Sequence, residues 1–311
     1  MELTNKIKDR VVNCLLEELQ KRGCSQAEFA KMIAVRHAIK FDKAVLPQIK
    51  KADNRNYAAI KETSWLILAR YYNVLGESTW TTVKTKAYIS VQAHLEKCQN
   101  FGIWQVLCDR AGIGKSYAAA EYARTHPNVF YIDCSDYSAK SDFITCLAGQ
   151  FGLEKNGSLN KLWREVTNEL LLLESPLLIL DEFGDCADAI VTLMKGLYNK
   201  ANMGDRMALG CYFIGADNLE KKLIDGRRTK KCSYAEFWSR FNERVTGLNY
   251  GNKPQEFLNE LQPEIEAIVD ANLPEELRDS RNVIIEKSLA TRGVRAIRNE
   301  IAIQKMLFAN K

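Results

Sequence analysis

The segment Asp109-Arg110-Ala111-Gly112-Ile113-Gly114-Lys115-Ser116 decides the fold of this chain. The apolar run before it, residues 103–108, predicts a strand, and the alanine-rich stretch after it, residues 116–124, predicts a helix. Glycines between a strand and a helix allow backbone amides to turn inward, and the first turn of a helix carries the positive end of its dipole. The loop is therefore predicted to bind phosphate groups.

The last residues of this loop, Gly-x-Gly-Lys-Ser, form the second half of a Walker A motif. Lys115 is expected to reach the β- and γ-phosphates of ATP, and the Ser116 hydroxyl to bind Mg²⁺. Asp109 stands where the motif has its first glycine. Aspartate tolerates left-handed backbone, so the turn can form, but a carboxylate there is expected to weaken nucleotide affinity. The predicted nucleotide contacts in this segment are Ala111, Gly112, Ile113, Gly114, Lys115, Ser116 and Tyr117.

A second motif follows downstream, where four apolar residues, 177–180, end in Asp181 and Glu182. A buried parallel strand delivers both carboxylates to the sheet edge at which the phosphate loop also lies. Asp181 is predicted to hold Mg²⁺, and Glu182 to activate the attacking water as a general base. The alternative is that the two carboxylates only cap the next helix. The two motifs together predict Mg²⁺-dependent binding and hydrolysis of ATP.

Five further residues are candidates for the same site. The strand at 211–214 runs into Asp217 and Asn218, which either sense the γ-phosphate or cap a helix. Arg240 and Arg244 lie one helical turn apart, and arginine suits a transferring phosphoryl group, including one bound by an adjacent subunit. Surface ion pairs are the alternative for both. Arg295 begins a late helix and is expected to fold over the nucleotide from a helical lid.

Short apolar runs alternate with helical stretches, which predicts an α/β fold with a parallel sheet and helices on both faces. Predicted strands span 103–108, 129–132, 177–180, 211–214 and 245–248, and predicted helices span 116–124, 141–151, 159–174, 187–200 and 234–243. The expected order is a helical N-terminal domain over 1–76, a Thr-rich linker over 77–93, an ATPase core over 94–251 and a helical lid over 252–311.

The composition is that of an ordinary globular protein, with 46% apolar and 27% charged residues. No stretch approaches the ~20 apolar residues that span a bilayer, and the first residues do not form a signal peptide. Nine cysteines without a Cys-x-x-Cys pair and only three histidines argue against a disulfide framework and a zinc site. We therefore expect a cytoplasmic protein without a membrane partner.

Binding to double-stranded DNA has to be argued from local charge, because the net charge is only +5. Residues 221–231 are basic enough to form a loop that contacts DNA phosphates, although a solvated, flexible insertion explains them equally well. Lys140, in the loop after the second strand, is a second candidate. The candidates in the basic segment are Lys221, Lys222, Arg227, Arg228, Lys230 and Lys231.

The N-terminal domain offers a separate candidate for DNA binding. Residues 25–35, with a capping box at Ser25 and Glu28, resemble the first helix of a helix-turn-helix. Pro47 interrupts the presumed recognition segment, 40–51. A helical bundle used only for contact with a partner is the alternative.

These motifs, in this order, resemble an AAA+ ATPase with a C-terminal helical lid, over roughly residues 80–311. The small helical N-terminal domain and the Trp80–Thr85 linker are similar to those of the phage Mu B and TnsC transposition proteins. This resemblance implies an ATP-dependent helical homo-oligomer on DNA, which delivers target DNA to a transposase and hydrolyses ATP when the transposase stimulates it. It assigns Arg240 as the finger acting in trans, with Arg244 in reserve, and Arg295 as the lid sensor. Ala216 stands where such proteins often carry a sensor asparagine.

Taken with this resemblance, the motifs imply a DNA-binding AAA+ ATPase of little sequence specificity, which is expected to form filaments and serve a transposase in a bacterial or phage-infected cell. A helicase loader or replication initiator is one alternative. A DNA-binding regulator that has a degenerate phosphate loop and does not hydrolyse ATP is another.

Overall fold

The computed structural model describes residues 3–51, 54–75, 80–137, 139–203, 209–251 and 253–309. These residues form five strands, β1 (Trp104–Cys108), β2 (Val129–Asp133), β3 (Leu177–Asp181), β4 (Gly210–Gly215) and β5 (Val245–Thr246). They also form fourteen α-helices, α1 (Asn5–Arg22), α2 (Gln26–His37), α3 (Val45–Lys50), α4 (Glu62–Tyr71), α5 (Lys86–Phe101), α6 (Lys115–Thr125), α7 (Lys140–Gly149), α8 (Leu159–Leu172), α9 (Asp188–Ala201), α10 (Asp217–Arg228), α11 (Tyr234–Ser239), α12 (Pro254–Asn272), α13 (Arg281–Ala290) and α14 (Arg295–Ala309).

The five strands form one parallel sheet in the order β2-β3-β4-β1-β5. Every residue of β3 and β4 is buried, as expected for the central strands of a parallel sheet covered on both faces. Asp133 is in register with Asp181, and Cys108 with Gly215, so the strands end together at one edge. The predicted parallel sheet is confirmed.

Two helical layers cover the sheet. Helices α7 to α11 pack on one face around Phe213, whose ring lies 4.8 Å from that of Phe183 and 5.1 Å from that of Phe237. Helices α5 and α6 pack on the other face together with α12 to α14, which we call the lid. Close approach on this side requires Gly210, where a Cβ atom would lie 2.1 Å from the carbonyl oxygen of Cys98 on α5.

Helix α5 begins inside the segment that the sequence assigned to a linker. Thr85 caps it, because its Oγ1 accepts a hydrogen bond of 3.1 Å from the backbone amide of Tyr88. Ala87, Val91 and Leu95 recur every four residues and are fully buried against the sheet. These residues supply a helical period that the Thr-rich composition before them conceals, so residues 86–92 belong structurally to the helix.

Two other predicted elements also differ from the structure. The helix expected over 234–243 ends at Ser239, and Asn242 and Glu243 adopt positive φ angles that end it. The presumed recognition segment, 40–51, is helical only over the six residues of α3. Pro47 is the third residue of α3, where the backbone amides of a first turn have no intrahelical acceptor, so it is tolerated there.

The N-terminal helical region, residues 3–75, has its own apolar cluster and packs against the sheet edge formed by β2. The predicted capping box at Ser25 and Glu28 is confirmed by reciprocal hydrogen bonds of 3.3 and 2.9 Å. Arg22 and Arg36 both donate to the carbonyl oxygen of Gln150, which follows α7, at 3.3 and 3.4 Å. Glu18 lies between these two guanidinium groups and accepts hydrogen bonds from both.

Candidate nucleotide site

A cleft of about 300 Å³ opens at the carboxyl edge of β1, β3 and β4, between the phosphate loop (residues 109–116) and the lid. It brings together residues that are far apart in the sequence. Its lining residues are Trp80, Val83, Thr85, Tyr88, Ala111, Gly112, Ile113, Gly114, Lys115, Ser116, Tyr117, Asp181, Glu182, Gly215, Ala216, Ile268, Val294, Arg295 and Arg298. All seven predicted contacts of the phosphate loop are in this set, together with Asp181, Glu182 and Arg295.

The phosphate loop has the backbone that its sequence predicts. Gly112 and Gly114 have φ angles of 83° and 94°, a left-handed conformation that favours glycine. Lys115 begins α6, and its Nζ donates to the carbonyl oxygens of Asp109 at 2.6 Å and Arg110 at 2.8 Å. Burial lowers the pKa of Lys115, while nearby carboxylates act in the opposite direction. The amine is thus held at the mouth of the loop.

Asp109 fits the loop in a way that the sequence did not suggest. Its backbone is not left-handed, so the conformational tolerance of aspartate is not needed there. Its carboxylate accepts hydrogen bonds from the backbone amides of Arg110 and Leu248, each at 2.7 Å. Asp109 therefore ties the end of β1 to the segment after β5. The effect of its charge on nucleotide affinity stays a prediction.

Asp181 is buried at the end of β3, with 2% of its surface exposed. Its Oδ2 accepts a hydrogen bond of 2.6 Å from the hydroxyl of Tyr131, and its Oδ1 accepts one of 2.9 Å from the amide of Glu182. Burial raises the pKa of Tyr131, and the negative charge of Asp181 raises it further, so this hydroxyl remains a donor. Sequence analysis missed Tyr131, although a polar aromatic residue in an apolar strand next to β3 is a signal.

Glu182 lines the cleft with an unusual backbone. Its φ and ψ angles are 48° and 38°, in the left-handed region, which costs a non-glycine residue about 1 to 3 kcal/mol. Burial raises the pKa of Glu182, and the negative charges of Asp181 and Asp185 raise it further, while Lys115 opposes them. Glu182 is the N-cap residue of a 3₁₀ turn over Phe183–Asp185, but its side chain makes no capping hydrogen bond there, and α9 is capped by Ala187 instead.

The predicted γ-phosphate sensors lie beside the cleft. Gly215 and Ala216 form the cleft wall at the end of β4, and Asp217 is the exposed first residue of α10. The Nδ2 of Asn218 donates to Oδ1 of Asp185 at 2.8 Å. Asn218 therefore contacts the turn that follows Glu182. Neither Asp217 nor Asn218 is among the residues that line the cleft, and a contact of either with the γ-phosphate stays a prediction.

The lid touches the phosphate loop directly. The amide of Val294 donates to the carbonyl oxygen of Gly112 at 2.9 Å, and a Cβ atom on Gly293 would lie 3.1 Å from the same oxygen. This contact places Arg295, the first residue of α14, in the cleft wall as predicted.

An aromatic and apolar end of the cleft was not predicted. The guanidinium of Arg298 lies over Trp80, 5.3 Å from the ring centre of the tryptophan. The neighbouring Thr81 exchanges two hydrogen bonds, of 2.6 and 3.0 Å, with the side chain of Asn272 on α12. Arg298 follows Arg295 at a helical spacing of three, which is a sequence signal. The position of Trp80 depends on how the linker folds over the lid, which the sequence does not show.

Neither of the two candidate finger arginines is among the residues that line the cleft. Arg240 donates to Oδ1 of Asn199 at 3.0 Å, and its guanidinium lies 4.7 Å from the ring centre of Tyr198. Its Nε is buried without a hydrogen-bond partner among the described residues. Arg244 is exposed. A contact with phosphate by either residue stays a prediction.

Most of the basic segment is helical, because residues 217–228 form α10 and only Lys230 and Lys231 follow its end. The predicted loop and the flexible insertion are therefore both wrong for its first four basic residues. Four of its six charges make contacts within the chain. Lys222 donates to the carbonyl oxygens of Gly184 and Cys186, and Lys231 pairs with Asp188 at 3.0 Å. Arg228 pairs with Asp225 at 3.0 Å, and Arg227 lies 5.1 Å from the ring centre of Trp238. Lys221 and Lys230 are exposed, and Lys140 is the first residue of α7. DNA binding by these residues stays a prediction.

Residues 105–223 match the family model described as an AAA domain. The match covers β1 to β4, the phosphate loop and the acidic pair, and it indicates an AAA-type P-loop ATPase. No curated protein matches the chain. Within the described ranges, every helix is too short or too polar to cross a membrane.

Proposed function

We propose that the cleft binds ATP with Mg²⁺ and hydrolyses it, in an oligomer that assembles on duplex DNA and delivers that DNA to a transposase. One observation carries the catalytic part of this proposal. Lys115, Asp181 and Glu182 line one cleft, and the lid is hydrogen-bonded to the loop that would hold the phosphates. A cation, a buried metal-binding carboxylate and a carboxylate available as a base are the groups that phosphoryl transfer to water requires.

The residues present fit a triphosphate and its metal. Lys115 makes two hydrogen bonds to carbonyl oxygens, and phosphate oxygens are acceptors of the same kind with more negative charge. Ser116 and Asp181 would hold Mg²⁺, an ion that prefers oxygen ligands and neutralises charge on the phosphates when bound. Glu182 accepts the proton of the attacking water, and its raised pKa makes it a stronger base than an ordinary carboxylate.

The other end of the cleft fits a nucleobase. Val83, Ile268 and the ring of Trp80 supply apolar surface, and Arg298 adds a planar cation. Flat heteroaromatic rings stack on both kinds of surface. Since Trp80 and Arg298 come from the linker and the lid, a bound base would hold the two together.

Arg240 supports an arrangement in which catalysis needs a neighbouring subunit. Its buried Nε has no hydrogen-bond partner in the described part of the chain, and it lies away from the cleft of its own subunit. A head-to-tail interface would bring it to the cleft of a second copy, where its fork suits phosphoryl charge. Such an interface is heterologous and need not close, so it produces open helices.

The charge distribution supports binding to DNA through the N-terminal helical region. Of the 44 Lys and Arg residues, 14 lie in residues 1–75, against 8 of the 39 Asp and Glu residues, so this segment carries +6 and the rest of the chain −1. Exposed lysines flank α3, namely Lys40, Lys43, Lys50, Lys51 and Lys61. Contacts of lysine with phosphate bind DNA without reading its sequence. Delivery to a transposase rests on the resemblance to the phage Mu B and TnsC proteins.

Steady-state ATPase assays of the wild type, Lys115→Ala and Glu182→Gln, with and without duplex DNA, test the catalytic part. We expect both variants to lose turnover, and only Glu182→Gln to retain tight ATP binding. Equal turnover in all three proteins would refute the proposal.

Electron microscopy of protein, ATP and random-sequence duplex tests the assembly. Helical filaments that disappear with Lys115→Ala support it, and isolated particles contradict it. The slope of log K for DNA binding against log[salt] gives the number of phosphates contacted, because each one contributes about −0.9. A slope shallower than about −2 would exclude binding through many phosphates.

A further inference from the structure

The turn that follows Glu182, residues 183–186, is held by α10. We call it the Walker B turn. Phe183 anchors its start, because this side chain is fully buried against Phe213 and Phe237. The amide of Asp185 donates to the carbonyl oxygen of Glu182 at 2.9 Å, so the geometry of the turn and the backbone of Glu182 are linked.

Two side chains of α10, four residues apart on one face, bind this turn. The ammonium of Lys222 donates to the carbonyl oxygen of Gly184 at 3.0 Å and to that of Cys186. The amide of Asn218 donates to the carboxylate of Asp185 at 2.8 Å. Between them, Asn218 and Lys222 therefore contact three consecutive residues of the turn.

The contact between α10 and the turn is close as well as polar. A Cβ atom on Gly184 would lie 2.6 Å from Nδ2 of Asn218, so only glycine allows the amide group to lie against the backbone. An ammonium that binds two carbonyl oxygens forms charge-assisted bonds, which are about twice as strong as neutral ones. Such contacts resist displacement of the turn.

The backbone of Glu182 explains why this support is needed. A left-handed glutamate persists only where the surrounding structure fixes it, since that conformation costs about 1 to 3 kcal/mol. Lys115 and Asp181 hold the phosphate side of the cleft, but they do not hold the residues after Glu182. The contacts of α10 do.

We propose that Lys222 and Asn218 are positioning residues for Glu182, which fix its carboxylate in line for water activation by clamping the Walker B turn. This inference rests on the proposed hydrolysis by Glu182. It gives Lys222 and Asn218 a different task from the DNA and nucleotide contacts that the sequence suggested. A displaced base reduces catalysis steeply, because misplacement by about 1 Å costs up to about 100-fold in rate.

The test compares Lys222→Met with Lys97→Met in the 311-residue protein. Both variants remove one positive charge from a helix, but Lys97 is an exposed residue of α5 that neither lines the cleft nor belongs to the predicted DNA contacts. Turnover is measured with Mg²⁺ and duplex DNA, together with the Kd of a fluorescent ATP analogue and of the DNA. Lys222→Arg restores donors to the same carbonyl oxygens, and Glu182→Gln gives the rate without a base.

We expect Lys222→Met to lower kcat about 10- to 100-fold while the Kd for nucleotide stays within about twofold, since a base acts only in the transition state. Lys222→Arg should recover most of the lost rate, and Lys97→Met should match the wild type. If Lys222→Met does not fold, as judged by melting and nucleotide binding, Asn218→Ala replaces it and should lower kcat in the same way.

Three results would overturn the inference and are distinguishable. If Glu182→Gln loses turnover but Lys222→Met and Asn218→Ala retain it, the positioning role is wrong and the proposed function stands. Loss of DNA affinity in Lys222→Met but not in Lys97→Met, with normal kcat, would assign Lys222 to DNA instead. If Glu182→Gln turns over like the wild type, both the proposed function and this inference fail.

Discussion

Replacing Glu18 with glutamine is expected to loosen the N-terminal helical region by about 3 to 5 kcal/mol, because it leaves two buried guanidinium groups without a counter-charge. Glu18 accepts hydrogen bonds from Arg36 at 2.7 Å, Arg22 at 2.9 Å and Tyr72 at 2.6 Å. Only 4% of the Arg36 side chain is exposed. The same two arginines bind the carbonyl oxygen of Gln150, so the substitution also weakens the contact with the ATPase core.

The pKa of Glu18 gives an independent magnitude. Burial alone would raise this pKa, but Arg36, Arg22 and Tyr72 outweigh it and lower the pKa of Glu18 from 4.5 to about 2. At about 1.4 kcal/mol per pH unit, that difference corresponds to about 3 kcal/mol. As the pH falls, Glu18 takes up a proton in the unfolded chain at a higher pH than in the folded chain. The contribution of Glu18 is therefore complete above pH 4.5 and is lost as the pH falls from 4.5 towards 2.

Hydrogen exchange of peptides from α1 and α2, measured by mass spectrometry at pH 7 and pH 3, checks both the size of the stabilisation by Glu18 and its loss at low pH. We expect Glu18→Gln to lose about 3 kcal/mol of protection at pH 7, but only about 1 kcal/mol at pH 3. Burial lowers the pKa of His37 to about 4, with the charge of Arg36 adding to the effect, so acid also destabilises both proteins through this group. The exposed neighbour Glu17 is the control, and Glu17→Gln should change stability by less than about 0.5 kcal/mol. Equal protection in Glu18→Gln and Glu17→Gln would show that Glu18 does not stabilise the N-terminal helical region.

Three further predictions concern the core. The pH–rate profile for kcat should rise with a midpoint above 4.5, because burial and neighbouring carboxylates raise the pKa of Glu182 and a base must be ionised to act; a midpoint at or below 4.5 contradicts this. Gly210→Ala should lower the free energy of unfolding, measured with denaturant, by about 1 to 3 kcal/mol, because the new Cβ atom would meet the carbonyl oxygen of Cys98. Unchanged stability would exclude that close approach. Asp109→Gly, which restores the glycine of the motif, should lower stability by about 1 kcal/mol because the amide of Leu248 loses its acceptor, and a more stable variant would be the contrary result.

The sequence predicts the sheet well, because the central strands are buried on both faces and read as continuous apolar runs. Leu177 to Leu180 is such a run, and its structural bounds differ from the prediction by one residue. The phosphate loop is predictable for a different reason, since Gly112, Gly114 and Lys115 act through local backbone geometry that the loop sequence itself specifies.

Contacts between distant elements could not be predicted. Asn218 and Lys222 look like a sensor and a DNA contact in the sequence, because nothing local shows that α10 packs on the turn after Glu182. Tyr131 reaches Asp181 only through the pairing of β2 with β3. The position of Trp80 depends on a linker held by the lid.

Isothermal titration of the purified 311-residue protein with Mg²⁺–ATP shows whether the cleft is a nucleotide site. We expect saturable binding by the wild type. Lys115→Ala should bind about 10- to 100-fold more weakly, since a hydrogen bond to a charged group contributes about 1.5 to 3 kcal/mol. No heat of binding and no bound nucleotide, even with millimolar ATP and Mg²⁺, would contradict this expectation.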